Sequence, residues 1–184
     1  MIVMLEPLKE SKKQKIIHFI VQLCLMLSAA LFVVQYIGKQ MIMDGRSMEP
    51  VIANQAVVLV NRMEYQFLEP QRYEVIAFTA EEDYDKVHIK RIFGLPGETV
   101  QIKEGNVYIN GKLLDTGDYL MPVEVAGVAE SVIQLGGDEY FVLGNKLDSS
   151  EDSRFESIGN VKGENIIGRA WFSFGKDLHI GFVK

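Results

Sequence analysis

Val87-His88-Ile89-Lys90-Arg91-Ile92-Phe93-Gly94-Leu95-Pro96-Gly97 joins a run of β-branched and aromatic residues to a Gly-Leu-Pro-Gly turn signal, which predicts a strand that ends at a sharp turn. Successive side chains of a strand point to opposite faces, so Lys90 and His88 are expected to share one face. A lysine among large apolar residues loses hydration, and this lowers its pKa because the ammonium form is disfavoured. Lys90 is therefore a candidate general base.

Similar runs recur along the chain after residue 38. Continuous or alternating apolar residues predict strands at 56–60, 73–78, 99–103, 107–113, 140–143 and 170–174. Asn110-Gly111 favours a tight hairpin inside the fourth of these runs. No long amphipathic helical pattern follows residue 38, so we expect a mostly β domain there.

The N-terminal region predicts a membrane anchor. Residues 1–15 are polar and lysine-rich, and residues 16–37 contain no Asp, Glu, Lys or Arg. As a helix this apolar run would be about 33 Å long, enough to cross the hydrocarbon core of a bilayer. The lysines place the N-terminus in the cytoplasm by the positive-inside rule. We therefore expect a cytoplasmic tail at 1–15, a transmembrane helix at 16–38 and an extracellular domain at 39–184.

Two other interpretations of the apolar run stay open. Ser28-Ala29-Ala30 has the small residues of a signal-peptide cleavage site, and a buried core helix would have a similar composition. The uncleaved anchor is preferred because Leu31-Phe32-Val33-Val34 follows directly and leaves no polar exit.

Composition limits the classes of function. The 184 residues suffice for one domain and an anchor, 48% of them are hydrophobic, and the net charge is -6. This acidity disfavours a nucleic-acid partner. Cys24 is the single cysteine, so no disulfide can form within the chain. The sequence has no motif for a nucleotide, a flavin or a metal ion, and we expect no cofactor and no metal site.

A constrained turn presents a serine in Met43-Asp44-Gly45-Arg46-Ser47-Met48-Glu49-Pro50. Gly45 allows backbone angles that a side chain would forbid, and Pro50 fixes a bend. A serine hydroxyl becomes a strong nucleophile only when a base accepts its proton. Lys90 and His88 could each supply that base, although a Ser-His site would also need a carboxylate to orient the ring. The alternative is a hydroxyl that only satisfies the turn.

A third segment completes a pattern: Gly144-Asn145-Lys146-Leu147-Asp148-Ser149-Ser150-Glu151-Asp152-Ser153-Arg154. The serine turn, the Lys-Arg-x-x-Gly-Leu-Pro-Gly segment and this late Ser-x-Asp-Ser-Arg segment resemble, in this order, those of type I signal peptidases, particularly the short Gram-positive forms. The resemblance implies an antiparallel β-sheet catalytic domain with a small inserted β subdomain, here at about 105–137, preceded by one transmembrane helix.

The resemblance also implies roles for individual residues. Ser47 would be the nucleophile and Lys90 the general base of a Ser-Lys dyad that forms an acyl-enzyme. Ser150 would hydrogen-bond the amine of Lys90 and hold it towards the nucleophile, while Asp152 and Arg154 would brace the loop that carries Ser150. The alternative for Asp152 and Arg154 is a surface ion pair that contributes little to stability. The expected supporting residues are Ser150, Asp152, Arg154 and Arg91.

Two positions depart from the family pattern. The late segment usually begins Gly-Asp-Asn-Arg, whereas residues 144–147 read Gly-Asn-Lys-Leu, so a carboxylate and an arginine are lost. Some members carry a serine two positions before the nucleophile as an oxyanion donor, and here that position is Gly45. The backbone N–H of Ser47 is then the natural donor, and a second must come from the backbone or from water.

In this family an extended substrate peptide lies between the strand that leads into the nucleophile, here Ser47, and the strand that ends at the lysine, here Lys90. Shallow pockets select small residues, typically Ala-x-Ala. The positions of this chain that match the cleft are Met43, Asp44, Gly45, Ile52, His88 and Ile89. Asp44 and His88 are more polar than an apolar wall would be, which suggests a modified substrate preference.

The resulting hypothesis is a membrane-anchored serine endopeptidase that cleaves signal peptides from exported preproteins, with its catalytic domain outside the cell. The alternative is a signal-peptidase-like protein of surface or pilus assembly, which acts as a dedicated peptidase or as a non-proteolytic chaperone. A self-cleaving transcriptional repressor with a Ser-Lys dyad is disfavoured because it would need a DNA-binding domain in place of the anchor.

Overall fold

The computed structural model describes residues 11–32, 38–81, 83–175 and 180–183 of the chain. The chain forms two compact units, residues 1–37 and residues 38–184. The predicted 16–38 and 39–184 boundary therefore shifts slightly, because Gly38 is the first residue of a strand.

The first unit contains helix α1, Lys12–Phe32, which is long and apolar enough to cross a membrane. It begins four residues before the predicted span. Ser11 and Gln14 explain this start because they form a reciprocal cap: Gln14 N donates to Ser11 Oγ at 3.3 Å, and Ser11 N donates to Gln14 Oε1 at 2.8 Å. Residues 33–37 of the predicted span lie outside the described residues, and its last residue, Gly38, begins a strand instead.

The second unit is built on a large sheet in which all pairs are antiparallel. The strand order is β1-β2-β11-β3-β4-β9-β10, and β12 pairs with β11. Its strands are β1 (Gly38–Ile42), β2 (Val57–Asn61), β3 (Val75–Ala80), β4 (Asp83–Gly94), β9 (Glu139–Leu143), β10 (Val161–Lys162), β11 (Ile166–Phe174) and β12 (Ile180–Phe182). The mostly β prediction is confirmed, and the helical segments among the described residues after Gly38 are short 3-10 turns.

A second, four-stranded antiparallel sheet is inserted between β4 and β9, in the order β7-β6-β5-β8. Its strands are β5 (Thr99–Lys103), β6 (Asn106–Ile109), β7 (Lys112–Leu113) and β8 (Ile133–Gln134). The predicted start at about residue 105 is too late, because β5 pairs with both β6 and β8. The predicted Asn-Gly hairpin is present, with positive φ at Asn110 and Gly111, as a primed two-residue turn requires.

The two sheets share an apolar core. Phe93, Phe141 and Leu143 of the large sheet pack in one cluster with Val100 and other residues of the second sheet. Gly94 ends β4 at this junction, where a Cβ atom would lie within 2.8 Å of side chains of both sheets. The end of β4 is therefore fixed by packing, which also fixes the position of Lys90 along the strand.

Candidate active site

Ser47 lies in the connection between β1 and β2. The two ends of this connection are tied together, because Met43 N donates to Ala56 O and Gln55 N donates to Met43 O, each at 2.8 Å. Gly45 has a φ of +96°, in the region that favours glycine. Next to Ser47, Met48 is fully buried in the core. The loop that carries Ser47 is thus fixed at its ends by backbone hydrogen bonds and next to the serine by the buried side chain of Met48.

Lys90 reaches Ser47 from the middle of β4. Its Nζ lies 2.8 Å from Ser47 Oγ, and both residues are at least 95% buried. Burial lowers the pKa of the Lys90 amine from 10.5 to about 8, partly offset by the Asp152 and Glu151 carboxylates, which raise it. Lys86 and Arg154 lower this pKa further. The described structure therefore brings together a hydroxyl and an amine that is a usable base near neutral pH.

His88 was the other candidate base. Its ring is buried and stacks on Phe78, with 5.6 Å between the ring centroids and 27° between the planes. It also lines the cleft beside Ser47. The Lys90 amine, not this ring, makes the 2.8 Å contact with the serine oxygen.

The late segment forms a loop around a buried carboxylate. Asp152 is fully buried and accepts hydrogen bonds from Ser150 Oγ at 2.7 Å, Gly144 N at 3.1 Å and Arg154 Nε at 2.7 Å. Arg154 is 2% exposed and also donates to Leu147 O at 3.0 Å. This pair is a buried hydrogen-bonded ion pair, so the alternative of a weak surface pair is wrong.

The expected hydrogen bond from Ser150 to Lys90 differs from the observed one. Ser150 Oγ donates to Asp152, two residues along the loop, and the Lys90 amine contacts Ser47 Oγ. The late loop contacts Ser47 through a backbone hydrogen bond, in which Lys146 N donates to Ser47 O at 2.9 Å. A Cβ atom at Gly144 would collide with Ser150 Oγ and would lie 2.7 Å from Ser47 O, so this close approach requires glycine.

Arg91, the neighbour of Lys90, is fully buried on the opposite face of β4. It donates to Tyr73 O at 2.6 Å and to Asn145 Oδ1 at 3.4 Å, and its guanidinium lies 4.4 Å from the centre of the Tyr119 ring. Burial lowers the pKa of Arg91 to about 10. Asn145, in the altered part of the late segment, thus contributes a neutral acceptor where the family pattern has a carboxylate. Sequence reasoning missed both tyrosines because each is distant from Arg91 in the chain.

A cleft of about 300 Å³ opens beside Ser47 and Lys90. Its lining residues are Ile42, Met43, Asp44, Gly45, Ser47, Lys86, Val87, His88, Ile89, Lys90 and Glu151. The expected position Ile52 is different: it is fully buried in the core with Met48 and does not line the cleft, so it offers no surface to a ligand in this conformation.

Four lining residues were missed: Ile42, Lys86, Val87 and Glu151. Each lies within two residues of a predicted site residue in the sequence, which is the signal that could have found them. Lys86 and Glu151 form an exposed ion pair of 3.4 Å between β4 and the late loop. Among the described residues, no group of three or more His, Cys, Asp or Glu side chains is placed to hold a metal ion.

Comparison with known proteins gives a consistent result. Residues 15–174 match the family described as signal peptidase, peptidase S26. Signal peptidase I S of Bacillus subtilis is 31% identical over 89% of this chain and 91% of its own, and probable signal peptidase I-2 of Synechocystis is 29% identical over 80% and 68%. A crystal structure of a signal peptidase I from Enterococcus faecalis is 30% identical, covers 55% of this chain and 97% of its own, and has a TM-score of 0.45.

Burial of Lys90 should cost stability. Between pH 8 and 10.5 the unfolded chain binds the proton that the folded chain has released, so wild-type stability should rise with pH across this window. Lys90→Met should lack this rise and should increase the unfolding free energy at pH 7 by about 1 to 3 kcal/mol. Denaturant unfolding in detergent at several pH values tests this. Lys103→Met, at an exposed lysine, is the control, and an equal gain there would contradict the prediction.

Asn145→Asp should stabilise the fold by about 1 kcal/mol, because it places a carboxylate beside the buried Arg91 guanidinium. The same unfolding measurement checks it, with Asn106→Asp at an exposed position as the control. A loss of stability confined to Asn145→Asp would mean that the cost of burying the carboxylate exceeds the attraction.

Proposed function

The chain belongs to the signal peptidase family, peptidase S26, whose members are serine peptidases that act on signal peptides, and we propose that it cleaves exported preproteins with Ser47 as nucleophile and Lys90 as general base. The observation that carries the proposal is the buried 2.8 Å contact between Lys90 Nζ and Ser47 Oγ. A solvated lysine would be charged and could not accept a proton, whereas this amine has a lowered pKa.

In the proposed mechanism the neutral amine of Lys90 accepts the hydroxyl proton of Ser47 while the serine oxygen attacks the substrate carbonyl carbon. The backbone N–H of Ser47 donates to the oxyanion. The Lys90 ammonium then protonates the leaving amine, and the C–N bond breaks to leave an acyl-enzyme. Water attacks the ester, its proton passes to Lys90, and the serine hydroxyl is restored as the signal peptide leaves with a free carboxylate.

The pKa of Lys90 limits the activity near neutral pH. With a pKa of about 8, only about one-tenth of the enzyme carries a neutral amine at pH 7. The Asp152 carboxylate is the largest opposing charge and keeps this pKa from falling further. The late loop thus sets both the shape of the site and the fraction of active enzyme.

The cleft suits an extended peptide. One wall is formed by the end of β1 and the residues after it, from Ile42 to Gly45, and the other by residues 86–90 of β4. A substrate strand between these walls would bond to backbone groups and place its small side chains near Ser47. Asp44 and His88 in the walls support a preference for polar or hydrogen-bonding side chains at one subsite beside the small residues.

We infer that α1 anchors the enzyme in a membrane with the N-terminus in the cytoplasm. The lysines at the N-terminal end of the apolar run support this orientation, which places residues 38–184 on the outer side: Lys9 precedes α1, and Lys12, Lys13 and Lys15 lie at its start. The apolar side chains Ile42, Phe174 and Ile180 lie in one register across β1, β2, β11 and β12, and all three are exposed. Such a face, beside the cleft, suits an enzyme that works at a bilayer surface on embedded substrates.

Cleavage of a preprotein with an Ala-x-Ala site, measured in detergent, tests the dyad. Ser47→Ala and Lys90→Ala should each lose activity by about 10³-fold or more, because the two residues act as a unit. His88→Ala should keep most of it. Ser173→Ala, at a buried serine away from the cleft, is the control.

A folded wild-type chain that binds the peptide without cleaving it would refute the peptidase proposal. It would favour the chaperone of surface or pilus assembly. Loss of activity in His88→Ala with retention in Lys90→Ala would instead assign the base to the histidine.

The pH profile gives a second test. Because Lys90 must be neutral, kcat/KM should rise with pH and reach half its maximum at about pH 8. The Glu151 carboxylate raises the pKa of Lys90, so Glu151→Gln should move the profile to lower pH. Glu156→Gln, at an exposed glutamate, should leave the profile in place, and a shift of Glu151→Gln to higher pH would contradict the account.

A further inference from the structure

A turn of the inserted sheet sits directly on the late loop. This turn, Gly127–Glu130, follows β7 and precedes β8. Its Val128 N donates to Arg154 O at 2.9 Å, and just before the turn the carbonyl of Val125 accepts from Arg154 Nη1 at 2.9 Å. The turn therefore holds both the backbone and the side chain of Arg154.

Gly127 makes this contact feasible in two ways. Its φ is +58°, in the region that favours glycine. A Cβ atom there would collide with Arg154 O and would lie 3.0 Å from the carbonyl carbon of Arg154. Because the obstacle is backbone, it cannot be moved by rotating a side chain, and a larger residue must displace the turn or the late loop.

Arg154 is connected to Ser47 through Asp152 and Gly144. It donates to Asp152 through Nε at 2.7 Å, and Asp152 accepts from Gly144 N at 3.1 Å. Gly144 in turn packs against Ser47 O, where no Cβ atom would fit. Each link is a buried hydrogen bond or a close backbone contact, so a displacement at the turn has few ways to be absorbed.

We propose that the inserted sheet is a positioning part of the active site, and that Gly127 is a positioning residue that sets the late loop against Ser47 through Arg154 and Asp152. This inference rests on the proposed Ser-Lys function. It gives the insertion a role in the reaction besides its share of the core, and it depends on a residue that touches neither substrate nor dyad.

The test compares two glycines of the same inserted segment in the full-length chain. Gly127→Ala should lower kcat for the Ala-x-Ala preprotein by about tenfold or more, with little change in KM, because misplacing a site by about 1 Å is costly. Gly117→Ala is the matched control: its φ is +49°, and no atom lies within 4 Å of its Cβ position. It should show only the cost of the backbone angle.

The pH profile separates positioning from a loss of stability. The charged groups that act on Lys90 are Asp152, Glu151, Lys86 and Arg154. The Asp152 carboxylate raises the pKa of Lys90 more than any of the others changes it, so displacement of the loop that carries it should shift the profile of Gly127→Ala away from that of Gly117→Ala. Equal kcat and equal profiles for Gly127→Ala and Gly117→Ala would overturn the inference.

Two further arms keep the test decisive. If Gly127→Ala does not fold, Val128→Pro replaces it, because proline removes the N–H that donates to Arg154 O without adding a Cβ atom at position 127. If the wild-type chain cleaves nothing, the proposed function fails, and amide exchange then judges the inference alone. The Gly144 amide should exchange faster in the Gly127 variant than in Gly117→Ala, and unchanged exchange would overturn the inference.

Discussion

The structure depends on burying the amine of Lys90 beside the hydroxyl of Ser47. Lys90 sits in a strand whose neighbours are packed on both faces, and its amine meets Ser47 Oγ at 2.8 Å within a nearly closed environment. Burial of the amine works against folding, yet the same burial lowers its pKa to about 8 and makes it a base. Burial of Lys90 therefore lowers the stability of the fold while it makes the amine reactive, and packing in the rest of the second unit offsets this loss of stability.

The buried carboxylate of Asp152 organises the other half of the site. It gathers Ser150, the Gly144 amide and Arg154, and its charge opposes the effect of burial on Lys90. The altered sequence at residues 144–147 leaves this arrangement in place, because the contact of that segment with Ser47 is made by a backbone N–H. The alteration changes two side-chain contacts: on the other face of β4 Asn145 gives Arg91 a neutral acceptor, and Lys146 pairs with Glu49 of the serine turn at 3.5 Å. The direct contact between Ser47 and Lys90 involves neither altered side chain.

The sequence predicts those parts of the fold that have a strong local signal. The apolar runs at 73–78, 99–103 and 140–143 lie in or overlap the observed strands, because β-branched and aromatic residues suit buried sheet positions. The missed strands, β8, β10 and β12, are two or three residues long, and their pairing comes from distant partners. Side-chain choices were harder to foresee: nothing local tells whether Ser150 donates to Lys90 or Asp152, or that Ile52 lies in the core instead of in the wall of the cleft.

Direct titration of the Lys90 amine tests the account most closely. Lysine labelled with carbon-13 at the ε position, observed by NMR in the full-length chain, reports the protonation of each amine, and a Lys90→Met sample assigns the signal. The account predicts that Lys90 titrates near pH 8, well below the ordinary value of 10.5. The Ser47→Ala variant should titrate close to the wild type, since burial and not the serine is the main cause of the shift. A Lys90 signal that titrates near 10.5 would show a solvated ammonium and would contradict the proposed base.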